Sequence, residues 1–330
     1  MNVIYSHNFN IRLGLVSYLH PFDGMKFQKI FNALKGNPKI NFIEPAEPIS
    51  MDLIDTFLSS MMRKKVRDPV FIFRALEVPK IPFISFSFLN KRVLSPMRWG
   101  VAGTMLGAKR ALNDGGFYWN LSGGYHHAMQ QNMEGFCIYN DIGICHQQLI
   151  KNGLLKPEDK VLIIDTDAHH GNGNAYTFME NKSVTILDIY NAGIYPTSSY
   201  TRDRVNISAP LMPGTEGREY LDQYKDALET LDDDYKLAFV VSGTDTLNSD
   251  RLGGLCLTIE DIAERERLTL RALSERCVPA VMLGGGGYSK ESAKAVIEAI
   301  SKCTDFAAPK RQKETESKQD REQNNLQSSA

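Results

Sequence analysis

Short apolar runs, each ended by a polar or glycine-rich turn, alternate along this chain with stretches whose apolar positions repeat at helical spacing. Val3–Tyr5 predicts an opening strand, and Phe42–Ile43 begins another short extended piece. Phe27, Ile30, Phe31 and Leu34 share one face of a helix predicted from about Met25 to Leu34, with Asp23 as its cap. Met51–Lys65 reads as one helix, and a helix from about Met97 to Leu112 carries small residues (Ala102, Gly103, Gly107, Ala108) that allow close packing. Between these, 69–96 is rich in proline and aromatic residues and fits no single period. It predicts an ordered loop lining a surface, with an exposed partner-binding segment as the alternative. Phe117–Leu121, Val161–Ile164, Val184–Ile189, Leu237–Val241 and Val278–Leu283 predict strands, and helices are predicted over about 141–155, 218–231, 260–275 and 292–301. Such alternation implies parallel pairing, so the expected fold is α/β, an open, mostly parallel sheet with helices on both faces in three layers. One domain is expected over 1–305. Beyond it the apolar residues disappear, and 306–330 predicts a disordered polar tail.

The strand Val161–Ile164 runs into Asp165-Thr166-Asp167-Ala168-His169-His170-Gly171-Asn172-Gly173. On an extended chain Asp165, Asp167 and His169 point to one face, and two neighbouring carboxylates are held ionised most simply by a cation. The plain alternative is a polar strand end in which Asp165 or Asp167 caps a helix. Three further strands end in polar motifs: His126-His127 after a Gly-Gly turn, Asp245, and Tyr288 after Gly284–Gly287. In a parallel sheet such ends converge on one side, where ligands bind. Asp167, His169 and Asp245 would give a metal three protein ligands with room for water and substrate, the pattern of a catalytic zinc site. Oxygen-rich ligation keeps iron(II) and cobalt open. His126 and His127 suit general acid/base work near neutrality, with Asp165 and Asn172 as their partners in kind, and Tyr288 could donate to a developing oxyanion.

Composition narrows the class. A net charge of −1 argues against capture of nucleic acid or anionic membrane as the main business. No apolar run reaches the length of a membrane span, and the start MNVIYSHNFN lacks a signal-peptide pattern. Five widely spaced cysteines, with no C-x-x-C, predict reduced thiols in a cytoplasmic or nuclear-type compartment.

The motifs GGYHHA, EGFCIYND, IIDTDAHHGNG, DIYNAGIYP, GTDTLNSDRLGG and GGGGY, in this order, resemble the zinc-dependent histone deacetylases, most closely their class IV branch. The resemblance spans about Val3–Lys302 and implies an arginase/deacetylase-like catalytic domain that hydrolyses acyl-lysine amides of proteins. It implies zinc on Asp167, His169 and Asp245, His126 and His127 as the acid/base pair, and Tyr288 polarising the carbonyl. It also implies Gly135, Phe136, Tyr195 and Gly286 around the acyl-lysine chain, and Asp165 backing His126 while helping to hold a structural potassium ion. Asn172 stands where many class I members have aspartate, so His127 should be the weaker resting base of the two. Asp188 stands where many have serine beside the potassium, as in class IV. Three rivals remain at this level. An arginase-type ureohydrolase lacks the ligands for its second metal, because Gly171 stands where a further aspartate is needed. An acetylpolyamine deacetylase would be favoured by an acidic entrance. The third is a catalytically silent acyl-lysine reader.

Overall fold

The computed structural model describes residues 1–12 and 21–306, so the tail expected to be disordered lies, but for Phe306, outside the described residues. One sheet of eight strands organises them: β1 (Asn2–Ile4), β2 (Asn41–Ile43), β3 (Phe117–Asn120), β4 (Val161–Asp165), β5 (Val184–Asn191), β6 (Ile207–Leu211), β7 (Leu237–Val241) and β8 (Ala280–Leu283). Their order is β2-β1-β3-β8-β7-β4-β5-β6, and every neighbouring pair is parallel. The central strands β3, β8, β7 and β4 are buried along their whole length, which is why they read as continuous apolar runs and not as alternating ones. Each fully buried Leu or Ile here contributes roughly 1.5–3 kcal/mol of transfer free energy.

Helices pack in two groups. Ser95–Asp114 lies on β3 and β8 and against Asp141–Lys151, whereas Ile259–Glu275, Ser292–Lys302 and Lys26–Leu34 pack on one another. The small residues Gly103, Gly107 and Ala108 are buried, and an added Cβ at Gly107 would meet Val281 of β8 at 2.9 Å, so this helix sits close on the sheet. No described helix is long and apolar enough to cross a membrane. All five cysteines are free thiols.

Several elements differ from the sequence reading; among them, the helix Lys26–Leu34 starts from Met25 with no side-chain cap, so Asp23 is not its cap. The segment 69–96 is not a loop: Pro69–Ala75 is a helix capped by Asp68 with proline in its first turn, and Phe86–Leu94, capped by Ser85, runs into Ser95–Asp114. Asp-Pro is a helix-start signal in its own right, masked here by the prolines that follow. Met51–Lys65 is two helices, Met51–Phe57 and Ser60–Lys65, because Leu58 is extended and Ser59 caps a new start. The strand β6 was not foreseen. It lies at the sheet edge, where Pro210 is tolerated because one side of the strand needs no ladder donor. The short helix Asn172–Thr177 was also missed, since its asparagines and glycine have poor helix propensity and only tertiary packing imposes it.

Candidate active site

The sheet is parallel, so the turns that follow β3, β8, β7 and β4 open at one edge, side by side. They bring His126-His127, Tyr288, Asp245 and Asp167-Ala168-His169 to a single rim. The strand β4 ends at Asp165, and the chain then turns, so the one-face geometry expected for Asp165, Asp167 and His169 does not hold. Asp165 instead faces His126, with Nδ1 to Oδ2 at 2.9 Å, while Asp167 and His169 turn towards Asp245. Neither aspartate caps a helix; the helix that follows has Gly171 at its N-cap.

Asp167, His169 and Asp245 each offer a ligand atom, all within 4.8 Å of one another. His169 Nδ1 lies 3.0 Å from Asp167 Oδ1 and 2.8 Å from Asp245 Oδ2. Backbone donors fix the carboxylates: Gly286 N–H donates to Asp167 Oδ2 at 2.7 Å and Ala168 N–H to Asp245 Oδ1 at 2.9 Å. Gly286 has to be glycine here, because an added Cβ would lie 2.6 Å from an oxygen of each aspartate. The donor set fits a divalent cation. Burial and the charge of Asp167 push Asp245 up to about 7. Burial alone would lower His169, yet the hydrogen bonds and charges of Asp167 and Asp245 lift it to about 11.

The histidine pair stands beside this triad with ring centroids 4.0 Å apart. Both rings are buried, and their partners differ. Burial opposes the charge of His126, but Asp165 and Asp167 raise it to about 9. His127 faces neutral Asn172, with Nδ1 to Oδ1 at 2.7 Å, and burial together with His126 and His169 holds it well below the usual histidine range. Tyr288 is packed edge-on to Phe136 at 5.4 Å, and burial with the charges of Asp167 and Asp245 keeps its hydroxyl protonated. Its backbone N–H and that of Ser289 donate to Asp250 Oδ2 at 2.6 and 2.9 Å, which fixes the turn that carries it.

A channel lined by Leu76, Glu77, Gly135, Phe136, Ile194, Tyr195 and Leu252 leads to His127, His169 and Tyr288. Gly135 has φ +54°, and a Cβ there would meet the His127 ring at 2.3 Å. Behind the rim an apolar chamber opens, walled by Phe22, Phe27, Phe73, Val78, Ile84, Phe88 and Val93, and reaching His126, Gly286 and Tyr288. The segment read as surface loop thus supplies interior wall. Gly286, expected beside the substrate, touches the chamber and the carboxylates but is not among the residues lining the channel.

Several site residues escaped the sequence reading. Arg265 and Glu266 lie on the helix predicted over about 260–275, and both are buried and paired at 2.5 Å. Arg265 donates to the carbonyls of Thr166 and Gly243 at 3.0 and 2.8 Å, pinning the turns that carry Asp167 and Asp245. Lys26 is fully buried and is lowered to about 8 by burial against the pull of Asp245 and Asp167. Its place four residues before Ile30, on the apolar face of its helix, was the available signal. Asp188, which the resemblance had already placed beside the potassium, accepts from Gly171 N–H at 3.1 Å and lies 2.6 Å from His170 Nδ1, while its Oδ1 is buried with no partner among the described residues. Glu134, which opens the EGFCIYND motif but was given no role there, accepts from Asn172.

Comparison with known proteins gives the class: the protein is a hydrolytic deacetylase. More narrowly, the chain belongs to the histone deacetylase family, whose domain matches residues 20–303. It is 32% identical to Histone deacetylase 2 of Arabidopsis thaliana over 310 residues, which cover 91% of this chain and 78% of that one. It is 34% identical over 192 residues to an uncharacterized protein of Picosynechococcus, covering 58% of this chain and 62% of the relative. It is also 32% identical over 183 residues to the acetoin utilization protein AcuC of Staphylococcus xylosus, covering 52% of this chain and 46% of that protein. The chain therefore spans less than two thirds of the latter two relatives.

Proposed function

We propose that this deacetylase removes acyl groups from lysine side chains of proteins such as histones, as a class IV-like member of its family. The observation that carries this reading is the channel that ends on His127, His169 and Tyr288, with aromatic walls suited to a lysine stem. Asp167, His169 and Asp245 would hold the metal, zinc by the family pattern, with iron(II) or cobalt as substitutes. When bound there it supplies Lewis-acid polarisation of the amide carbonyl and activation of water. The unpartnered, buried Asp188 Oδ1, in register with Asp165 across β4 and β5, supports a second, structural cation of the potassium type.

The protein groups divide the proton work. His127, neutral and with Nδ1 committed to Asn172, receives the proton of the attacking water at Nε2. His126, held protonated by Asp165, keeps positive charge beside the reacting carbon and is poised to protonate the leaving lysine amine. Tyr288, kept neutral, donates its hydroxyl hydrogen bond to the oxyanion. The apolar chamber behind the rim supports acyl groups longer than acetyl as additional substrates.

A second reading has its own support. Glu77 lies at the channel mouth, an acidic entrance that favours a cationic small amine such as an acetylpolyamine. One assay separates the two: acetyl-lysine peptide, myristoyl-lysine peptide and an acetylpolyamine offered to the zinc-loaded protein, with products read by mass spectrometry with and without chelator. Chelator-sensitive cleavage of the peptides is expected, and cleavage of the polyamine alone would replace the protein-substrate reading.

A further inference from the structure

Asn172 meets more than His127. Its Nδ2 donates to Glu134 Oε1 at 2.6 Å, and Asn132 Nδ2 donates to the other oxygen, Glu134 Oε2, at 2.6 Å. The carboxylate also lies against the Tyr195 hydroxyl on the channel wall, and with burial it keeps that phenol protonated. Glu134 is itself held in a turn: it bridges to Cys137, and Phe136 N–H donates to the Ala75 carbonyl at 2.9 Å. The proposed chemistry leaves this half-buried carboxylate without a part.

The chemistry of the two groups decides what it does. A primary amide has one donating and one accepting end, and a carboxylate only accepts. Because Glu134 takes the Nδ2 end of Asn172, only Oδ1 is left to face His127. That oxygen can only accept, so His127 Nδ1 must carry the hydrogen, which leaves Nε2 bare in the neutral ring. Without Glu134 the amide is free to turn over and present N–H to Nδ1, which would move the ring proton to Nε2 and block it as an acceptor. A partner beyond the immediate one of a catalytic histidine commonly sets its tautomer in this way.

We infer that Glu134 is a positioning residue of the active site, which orients the Asn172 amide and so fixes His127 as the Nδ1–H tautomer with Nε2 free for proton transfer. The inference rests on the reading of His127 as proton acceptor. The test therefore reads the ring directly: full-length protein with ¹⁵N-labelled histidine, the His127 nitrogens assigned against a His127→Gln variant. Glu134→Ala, Glu134→Gln and Asn132→Ala are compared. Wild type is expected to show a protonated Nδ1 and a bare Nε2. Glu134→Ala should mix the tautomers and lower kcat about 10-fold with KM nearly unchanged. Glu134→Gln keeps an acceptor oxygen and should restore most of both, and Asn132→Ala should leave the tautomer as in wild type. An unchanged His127 signal and kcat in Glu134→Ala would overturn the inference. So would an equal loss in Asn132→Ala, which would assign the effect to the fold of the turn, or a Glu134→Gln no better than Glu134→Ala. Wild type that hydrolyses nothing would count against the proposed activity, while the nitrogen signals would still decide the tautomer.

Discussion

Asp167, His169 and Asp245 sit on turns that directly follow strands of the sheet, whereas Phe73, Ile84 and Phe88, which wall the chamber behind them, come from a segment with no strand at all. At the rim, direction decides everything: each carboxylate oxygen is aimed by a backbone donor or an imidazole, and Arg265 ties the supporting turns from below. The wall built from Phe73, Val78, Ile84, Phe88 and Val93 acts instead by volume and apolarity. Charge chemistry tolerates no displacement, because electrostatic and hydrogen-bond energies depend steeply on geometry, while apolar burial is roughly proportional to area and forgiving of shape. Changes at the rim should therefore abolish the reaction, and changes in the chamber should regrade its substrates.

The largest effect is expected at Asp245. Asp245→Ala removes one of the three proposed ligands and one of the two carboxylate partners of His169, so both stoichiometric metal and turnover should vanish. Metal analysis of the purified variant checks this, and full metal content would mean the triad is not the ligand set. Next is Tyr288→Phe, which deletes one oxyanion donor while keeping the ring; kcat should fall roughly 10²–10³-fold. Steady-state kinetics on an acetyl-lysine peptide would show it, and unchanged turnover would remove the hydroxyl from its role.

On the chamber side, Ile84→Trp narrows a half-buried wall. It should lower turnover of a myristoyl peptide relative to an acetyl peptide about 10-fold. A parallel fall in both would make the chamber irrelevant to acyl length. The smallest effect lies farther back. His146, packed edge-on against Phe178 at 5.2 Å, is held down to about 4 by burial. Its folded pKa is depressed, so the unfolded chain takes the proton first. Stability is then present above about pH 6.5 and is lost as pH falls towards 4, on the order of 2 kcal/mol by pH 5. Urea unfolding at pH 7.5 and 5 should show the loss, and His146→Leu should lessen it.

Much of this molecule was legible along the chain. The apolar runs predicted seven of the eight strands, within a few residues, because fully buried parallel strands leave a continuous signature. The edge strand Ile207–Leu211 leaves no such mark, since it alternates partly exposed and exposed residues before the buried Leu211. Asp167, His169, Asp245, His126, His127 and Tyr288 were all readable as residues that follow strands, and parallel pairing alone sends strand ends to one edge.

What the sequence determined by itself was therefore the set of chemical groups and the edge on which they meet, since both follow from local pattern and strand direction. The tertiary structure alone decided their partners. The turn after Asp165 separates it from Asp167, the helix predicted over about 260–275 buries Arg265 beneath the rim, the proline-rich segment closes an apolar chamber, and Glu134 reaches Asn172 from 38 residues away. Contacts of this kind join residues far apart in the chain through side-chain geometry, which periodicity and local propensity do not encode.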